Sequence, residues 1–200
     1  MPEVHVKEVP EMTVMSLPFT GSYDQTQTKL DRLMSWLLRV GHPYSQPPMA
    51  LYYDDPAQVP EEELRAEVCL PIEEECEGEE DIERKELPAV TVAYTVHKGP
   101  YHQIPPLYEE IFEWMEENGY EYVEDMPTRE VFLKLYGQVE EPEEYVTEVQ
   151  VPVQPVGAAE DEGEEPEEEE AEAEQPVEAE EPEAEEPAEE QEAEEEAEEE

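Results

Sequence analysis

The segment Val14-Met-Ser-Leu-Pro-Phe-Thr-Gly-Ser-Tyr-Asp-Gln25 is repeated 78 residues later as Val92-Ala-Tyr-Thr-Val-His-Lys-Gly-Pro-Tyr-His-Gln103. Further matches follow in the same order, and the last pairs Glu67-Val-Cys-Leu-Pro-Ile72 with Glu148-Val-Gln-Val-Pro-Val153. A sequence that occurs twice predicts two similar lobes related by a pseudo-twofold axis. A cleft between such lobes is a natural ligand site, because pockets favour the junctions between structural units.

Hydrophobic periodicity predicts the same element order in each copy. In the first copy, a strand over Val4–Pro18 with a break at Pro10 precedes a helix that has Asp24 as its N-cap and ends at Gly41. In the second copy, a strand precedes a helix that ends at Asn118-Gly119. Two further strands follow each helix, and they are predicted over residues 50–53, 66–72, 130–135 and 146–153. The acidic residues 73–86 are predicted to form a polar connector or a loop around Gly78.

Each copy is therefore predicted to be a βαββ unit, with lobes at about residues 3–75 and 86–154. The predicted fold class is α+β, a tandem βαββ duplication with an antiparallel sheet and two helices packed on it. Residues 158–200 contain 26 acidic residues and no Lys, Arg or aromatic residue. A segment of this composition cannot bury enough apolar surface to offset its ordering entropy, so we predict a domain over 1–157 followed by a disordered tail.

The charge of the chain restricts its partners. The formal net charge is −50, and residues 1–157 alone carry 34 acidic against 10 basic residues. Nucleic-acid affinity depends on Lys and Arg that neutralise phosphates, so direct nucleic-acid binding is not expected. A cationic ligand, or a basic protein that contacts the acidic tail, fits this field better, although the acidity could equally serve solubility or life in high salt. No signal peptide or membrane-spanning stretch is visible, and the expected location is the cytoplasm.

Four segments in register resemble the GyrI-like family, also known as AraC-type effector-binding domains. They are Lys98-Gly-Pro-Tyr101, Tyr53-Asp-Asp-Pro56, Arg129-Glu-Val-Phe-Leu133 and Thr147-Glu-Val-Gln-Val-Pro-Val153. The resemblance covers about residues 3–154 and implies tandem βαββ units with a cleft that binds bulky, often cationic, small molecules. Some members of the family belong to multidrug-sensing transcription regulators, whereas stand-alone members inhibit DNA gyrase or hydrolyse electrophilic toxins. The acidic tail departs from the family pattern.

Comparing the two copies separates residues that build the fold from candidates for function. Glu130 aligns with Ala50 and is the position at which the repeat fails. A carboxylate beside Phe132 on a central strand is costly unless it is paired or solvated. The resemblance places the glutamate of this strand in the ligand pocket, so we expect Glu130 to be the counter-charge of a cationic ligand. The alternatives are an ion pair with Arg129, Lys134 or Arg65, or plain exposure to solvent.

The remaining candidate ligand-binding residues are mostly aromatic, because the faces of aromatic rings attract cations. With Glu130 and Phe132, the candidates are Tyr23, Tyr52, Tyr101, Tyr108, Trp114 and Glu148. Glu148 matches Glu67 and Trp114 matches Trp36, so a structural role competes at both positions. If the protein is instead a hydrolase of electrophilic xenobiotics, the predicted catalytic residues are Glu130 with Tyr101 or Tyr108.

The sequence lacks other chemical signatures. The four histidines and the two cysteines, Cys69 and Cys76, do not have metal-ligand spacing, so no metal site is predicted. No Gly-rich phosphate loop and no Gly-x-Ser-x-Gly motif occur, and no cofactor is expected. Three functions remain open, namely a small-molecule-binding module that senses or sequesters amphipathic cations, a hydrolase, and a modulator of DNA gyrase or another basic protein.

Overall fold

A computed structural model describes residues 3–42, 44 and 46–157. The nine strands of this part are β1 (His5–Val9), β2 (Met12–Thr20), β3 (Met49–Tyr52), β4 (Arg65–Pro71), β5 (Glu83–Leu87), β6 (Val90–Lys98), β7 (Tyr120–Tyr122), β8 (Thr128–Lys134) and β9 (Val146–Pro155). The two α-helices are α1 (Thr26–Arg39) and α2 (Pro105–Asn118). These elements belong to one compact unit, Met1–Gly163. The second unit, Glu164–Glu200, lies outside the described residues. The predicted disorder of the tail concerns residues 158–200, which also lie outside them.

The strands form one antiparallel sheet in the order β1-β6-β9-β8-β3-β4-β2-β5, and β7 pairs with β9 outside this path. The order reads the same from both ends when β1 is matched with β5, β2 with β6, β3 with β8, and β4 with β9. The centre of the order is the β3–β8 pair, in which Ala50 lies directly opposite Glu130. The position at which the repeat fails therefore lies at the middle of the sheet.

Both helices pack on the same face of the sheet, which is called the helix face below. The apolar residues of α1 pack with Met15, Leu17 and Val68 of the sheet in one buried cluster. Those of α2 pack with Val149 and Val151 in a second cluster. The alternating side chains of each strand point to the opposite face, called the far face, where Val14, Leu51 and Cys69 are buried.

The repeated Gly-x-Tyr-x-Gln segment has a structural explanation. Gly21 and Gly99 have φ angles of 112° and 140°, which disfavour any residue with a Cβ. A Cβ on Gly21 would also lie 2.9 Å from Nε2 of Gln25, and one on Gly99 would lie 3.2 Å from Oε1 of Gln103. Each turn is followed by a single 3₁₀ turn, Tyr23–Gln25 or Tyr101–Gln103, and then by a helix.

The predicted α+β class, with an antiparallel sheet and two helices, is confirmed, and the tandem βαββ duplication stays a prediction. Helix α2 ends as predicted, with Gly119 in the left-handed conformation. The prediction of Asp24 as N-cap is wrong. Ser22 accepts the bond from the Asp24 backbone N–H, and α1 begins only at Thr26.

Two strands were not predicted. The end of the supposed acidic connector is β5, which pairs with β2, while β7 follows α2 directly. Four of the five residues of β5 are charged and hide the alternation on which strand prediction depends, whereas β7 has only three residues, too few for a periodic pattern.

Candidate functional site

A cavity of about 220 Å³ opens on the helix face, between the start of α1 and the centre of the sheet. Glu130 lines it together with Asp24, which precedes α1, and with Thr26, Gln27 and Leu30 of α1. The rest of its wall is aromatic and consists of Tyr23, Tyr52, Tyr101, Phe132 and Tyr136. Because strand side chains alternate, Glu130 and Phe132 face this cavity, whereas Arg129 and Val131 face away from it.

Two tyrosines hydrogen-bond to the Glu130 carboxylate. The Tyr108 hydroxyl donates to Oε1 at 3.2 Å, and the Tyr52 hydroxyl lies at 3.5 Å from Oε2 and 3.3 Å from the Thr26 hydroxyl. Within the described residues Glu130 makes no ion pair, since Arg65 pairs with Asp54, Arg129 lies on the far face and Lys134 is exposed. The ion pair considered as the alternative explanation of Glu130 is therefore not formed.

The surroundings of Glu130 favour its neutral form. Burial raises the pKa of this carboxyl to about 7, although the hydrogen bonds from Tyr108 and Tyr52 lower it. Part of the residue remains accessible, because the cavity opens to solvent. Burial, and then the charge of Glu130, raises the pKa of both tyrosines, so both remain protonated donors near neutral pH. The site thus offers a carboxylate that an approaching positive charge would stabilise.

The aromatic wall is held by contacts between rings. Tyr23 and Tyr52 have ring centroids 4.6 Å apart, and the Tyr23 hydroxyl donates to the Asp54 carbonyl at 2.8 Å. On the other side, Tyr101 meets Phe132 edge to face at 5.6 Å and stacks on Tyr145 at 5.0 Å. Tyr23 and Tyr101 reach the cavity because each begins the 3₁₀ turn in front of its helix.

The structure therefore brings six of the eight predicted residues together, namely Glu130, Phe132, Tyr23, Tyr52, Tyr101 and Tyr108. Two lie elsewhere. Glu148 is on the far face, where its Oε1 accepts from Lys7 at 2.5 Å and from Gln150 at 2.6 Å. Trp114 of α2 stacks on Tyr120 and packs against the buried cluster that α2 forms with β9.

Sequence reasoning did not identify Tyr136 or Thr26 as parts of the wall. Tyr136 follows β8 by two residues, and its hydroxyl donates to Asp31 of α1 at 2.8 Å. Thr26 begins α1, and its hydroxyl donates to the Tyr23 carbonyl at 2.7 Å. The only signal for Tyr136 is its position just after a strand that carries two site residues, because alternation does not extend into the turn.

Two further classes of site were tested. Among residues 3–42, 44 and 46–157, no three His, Cys, Asp or Glu side chains are arranged to hold a metal ion. In the same residues, no helix is long and apolar enough to cross a membrane. Both cysteines are free and buried, and burial raises the pKa of the Cys69 thiol.

Comparison with known proteins identifies the domain. Residues 2–154 match the model of the GyrI-like small molecule binding domain. The chain belongs to this GyrI-like family. No protein of curated function matches the sequence.

Solved structures with the same fold include two of EcmrR, to which this GyrI-like chain is similar. The C-terminal domain of EcmrR is 25% identical, with a TM-score of 0.68 over 78% of this chain and 99% of that domain. EcmrR in its complex with DNA is 24% identical, with a TM-score of 0.69 over 77% of this chain. The GyrI-like chain covers only 58% of that EcmrR chain.

Two more distant structures share the fold alone. A hydrolase from Listeria innocua is 14% identical, with a TM-score of 0.56 over 76% of this chain and 92% of its own. SAV2435, bound to tetraphenylphosphonium, is 12% identical, with a TM-score of 0.50 over 76% of this chain and 94% of its own.

Proposed function

We propose that the cleft on the helix face binds bulky amphipathic organic cations, with Glu130 as their counter-charge. The observation that carries this proposal is a carboxylate, free of ion pairs among the described residues, at the base of an aromatic cavity. A cation placed there gains an ion pair with Glu130 and contacts with the faces of several rings. An inorganic cation would leave the aromatic wall unused.

The proposed cleft lies on the axis that would relate two tandem βαββ units. The strand order, which reads the same from both ends, supports such a duplication, with lobes at about 3–75 and 86–154. On this axis each lobe supplies one wall, Tyr23 and Tyr52 from the first, Tyr101 and Phe132 from the second. The sheet itself supplies a carboxylate only from the second lobe, since the equivalent residue is Ala50, and the other acidic residue of the lining, Asp24 of the first lobe, is exposed. The site therefore takes one cation in an asymmetric position.

Relatives support the type of ligand and the type of role. SAV2435 was solved with tetraphenylphosphonium, a bulky organic cation, and EcmrR was solved on DNA. We infer that this chain senses or sequesters such compounds, in transcription regulation or in toxin resistance. DNA contact by EcmrR belongs to a longer chain, of which this one matches 58%.

The test is a thermal-shift titration with tetraphenylphosphonium on the wild type, Glu130→Gln and Glu109→Gln. Glu109 is an exposed residue of α2, so its substitution changes the net charge equally without touching the cleft. We expect Glu130→Gln to bind about 10- to 100-fold more weakly, as for loss of a partly buried charge pair, and Glu109→Gln to bind like the wild type. Equal affinity in all three proteins would refute the counter-charge.

Triphenylphosphine oxide, which is similar in shape and neutral, completes this design. The wild type should prefer the phosphonium strongly, and Glu130→Gln should lose most of that preference because the aromatic wall is unchanged. An unaltered preference in Glu130→Gln would place the charge recognition elsewhere.

A hydrolase is the second candidate, and the 3.2 Å hydrogen bond between Tyr108 and Glu130 favours it. Glu130, with a pKa raised to about 7, could take a proton from water while the water oxygen attacks an electrophilic carbon. Tyr108 could then give its proton to the leaving atom. Tyr101 also lines the cavity, but it is the weaker choice because, within the described residues, no hydrogen bond links its hydroxyl to Glu130. Product formation abolished by both Glu130→Gln and Tyr108→Phe would support this candidate, and stable ligand recovered after long incubation would exclude it.

The third hypothesis is an interaction with DNA gyrase or another basic protein through the acidic tail. It rests on residues 158–200, which lie outside the described residues. Its test is a pull-down with the full chain and with the chain ending at Gly157.

A further inference from the structure

The far face of the sheet carries two matching polar networks. In the first, Lys85 donates to Oε1 of Glu67 at 2.5 Å, and the hydroxyls of Ser16 and Tyr53 donate to the same carboxylate. In the second, Lys7 donates to Oε1 of Glu148 at 2.5 Å. Each network is an ion pair between an edge strand and an inner strand, so each is neutral by itself.

Arg129 lies between these networks and is not neutralised. Its residue is 2% exposed, and neither Nε nor Nη1 has a hydrogen-bond partner among the described residues. It stands in register with Leu51 of β3 on one side and with Gln150 of β9 on the other. The equivalent position in the first half of the sheet is Met49, which is buried and apolar. The two copies thus also differ on the far face at Arg129, which is next to Glu130 in the chain, and at Gln150, whose equivalent is Cys69.

Gln150 adds an unsatisfied acceptor beside these donors. Its Nε2 donates to the Glu148 carboxylate at 2.6 Å, which fixes the orientation of the amide because only the nitrogen can donate. Its Oε1 is buried and has no partner among the described residues. Directly opposed residues of antiparallel strands have Cβ atoms about 5 Å apart, so one small molecule can reach both side chains.

Burying these unpartnered polar groups of Arg129 and Gln150 destabilises the fold. A buried donor or acceptor without a partner costs about 1–3 kcal/mol, and a charged one costs more. The guanidinium keeps its charge even though burial lowers its pKa. An occupant that removes these costs must offer acceptors to Arg129, a donor to Gln150, and one negative charge.

We propose that the far face binds a small hydroxycarboxylate, whose carboxylate contacts Arg129 and whose hydroxyl donates to Gln150. A monoanion balances the single uncompensated charge, whereas a dianion such as phosphate would leave a negative excess between the buried carboxylates of Glu67 and Glu148. The buried neighbours Leu51 and Cys69 limit the ligand to a few heavy atoms. This site is separate from the cleft, because the two lie on opposite faces of the sheet.

The experiment follows the Nε–H signal of Arg129 by NMR in the full wild-type chain. Sodium glycolate is the probe, exchanged against sodium chloride at constant ionic strength so that general screening stays fixed. We expect a saturable shift of this signal in the millimolar range, as for a ligand of few atoms. Acetate, which lacks the hydroxyl, should bind about fivefold more weakly, the effect of one net hydrogen bond.

Two variants complete the test by thermal shift. Arg129→Met copies the equivalent residue Met49 and should weaken the response to glycolate more than tenfold. Arg84→Met removes an exposed arginine of β5 and should respond like the wild type. A flat wild-type titration, or an equal response in Arg129→Met, would overturn the proposal and leave water as the occupant. If Arg129→Met does not fold, the wild-type NMR titration decides.

Discussion

Replacing Glu130 by glutamine should make the unliganded protein more stable at neutral and alkaline pH. The structure raises the pKa of this carboxyl from 4.5 to about 7, chiefly by burial. A raised carboxyl pKa means that the native state binds the proton more tightly than the unfolded state does. The corresponding stability is fully present below about pH 4.5 and is lost as the pH rises through about 7.

The size of this effect follows from the pKa difference. At 1.36 kcal/mol per unit, the ionised carboxylate costs about 3 kcal/mol near pH 8 and only about 1 kcal/mol near pH 5. Glutamine carries no such cost at either pH. The stability advantage of Glu130→Gln over the wild type should therefore grow by about 2 kcal/mol between these pH values, whatever the glutamine gains or loses in packing.

Urea unfolding of the wild type and Glu130→Gln at the two pH values measures this difference. Glu109→Gln serves as the control for net charge, since Glu109 is exposed. Its stability relative to the wild type should hardly change with pH. If the stability advantage of Glu130→Gln stays constant or shrinks from pH 5 to pH 8, the Glu130 carboxylate is not destabilised by burial in the cleft.

Three further predictions concern other contacts. Tyr108→Phe removes a hydrogen bond to the Glu130 carboxylate, so the Glu130 pKa should rise further and the affinity for organic cations should fall about 3- to 10-fold. NMR titration measures the pKa and calorimetry the affinity, and an unchanged Glu130 pKa would count against the hydrogen bond. Lys85→Met leaves the Glu67 carboxylate buried without its cation, and because the lysine side chain is 37% exposed we expect the free energy of unfolding in urea to fall by about 1–3 kcal/mol. A decrease below the error of the method would show that solvent already screens the ion pair. Gly99→Ala places a Cβ on a residue with a φ angle of 140°, so the free energy of unfolding should fall by about 1–3 kcal/mol in the same assay. An unchanged stability would mean that the turn relaxes freely.

The sequence predicted those features that depend on local pattern. The alternation along residues 130–135 placed Glu130 and Phe132 on one face, and the structure has them on the cavity wall. The comparison of the two copies also found the break at Ala50 and Glu130, which turn out to be direct partners at the centre of the sheet.

The rest depends on pairings that local pattern does not encode. Alternation shows that Glu148 and Val149 face opposite ways, but only the packing of α2 decides that Val149 faces the helix. Strands β1 and β5 each pair with a strand of the opposite half, which no pattern within one copy indicates. Arg129 was considered only as a partner for Glu130, because its own burial becomes visible only in the folded sheet.

The most direct test of the central claim is the pKa of the Glu130 side-chain carboxyl, measured by carbon NMR with and without saturating tetraphenylphosphonium. If Glu130 is the counter-charge, the bound cation stabilises the carboxylate, and the pKa should fall from about 7 by one to two units, which corresponds to about 10- to 100-fold tighter binding to the ionised form. A pKa that stays unchanged or rises when the cation binds would contradict the account.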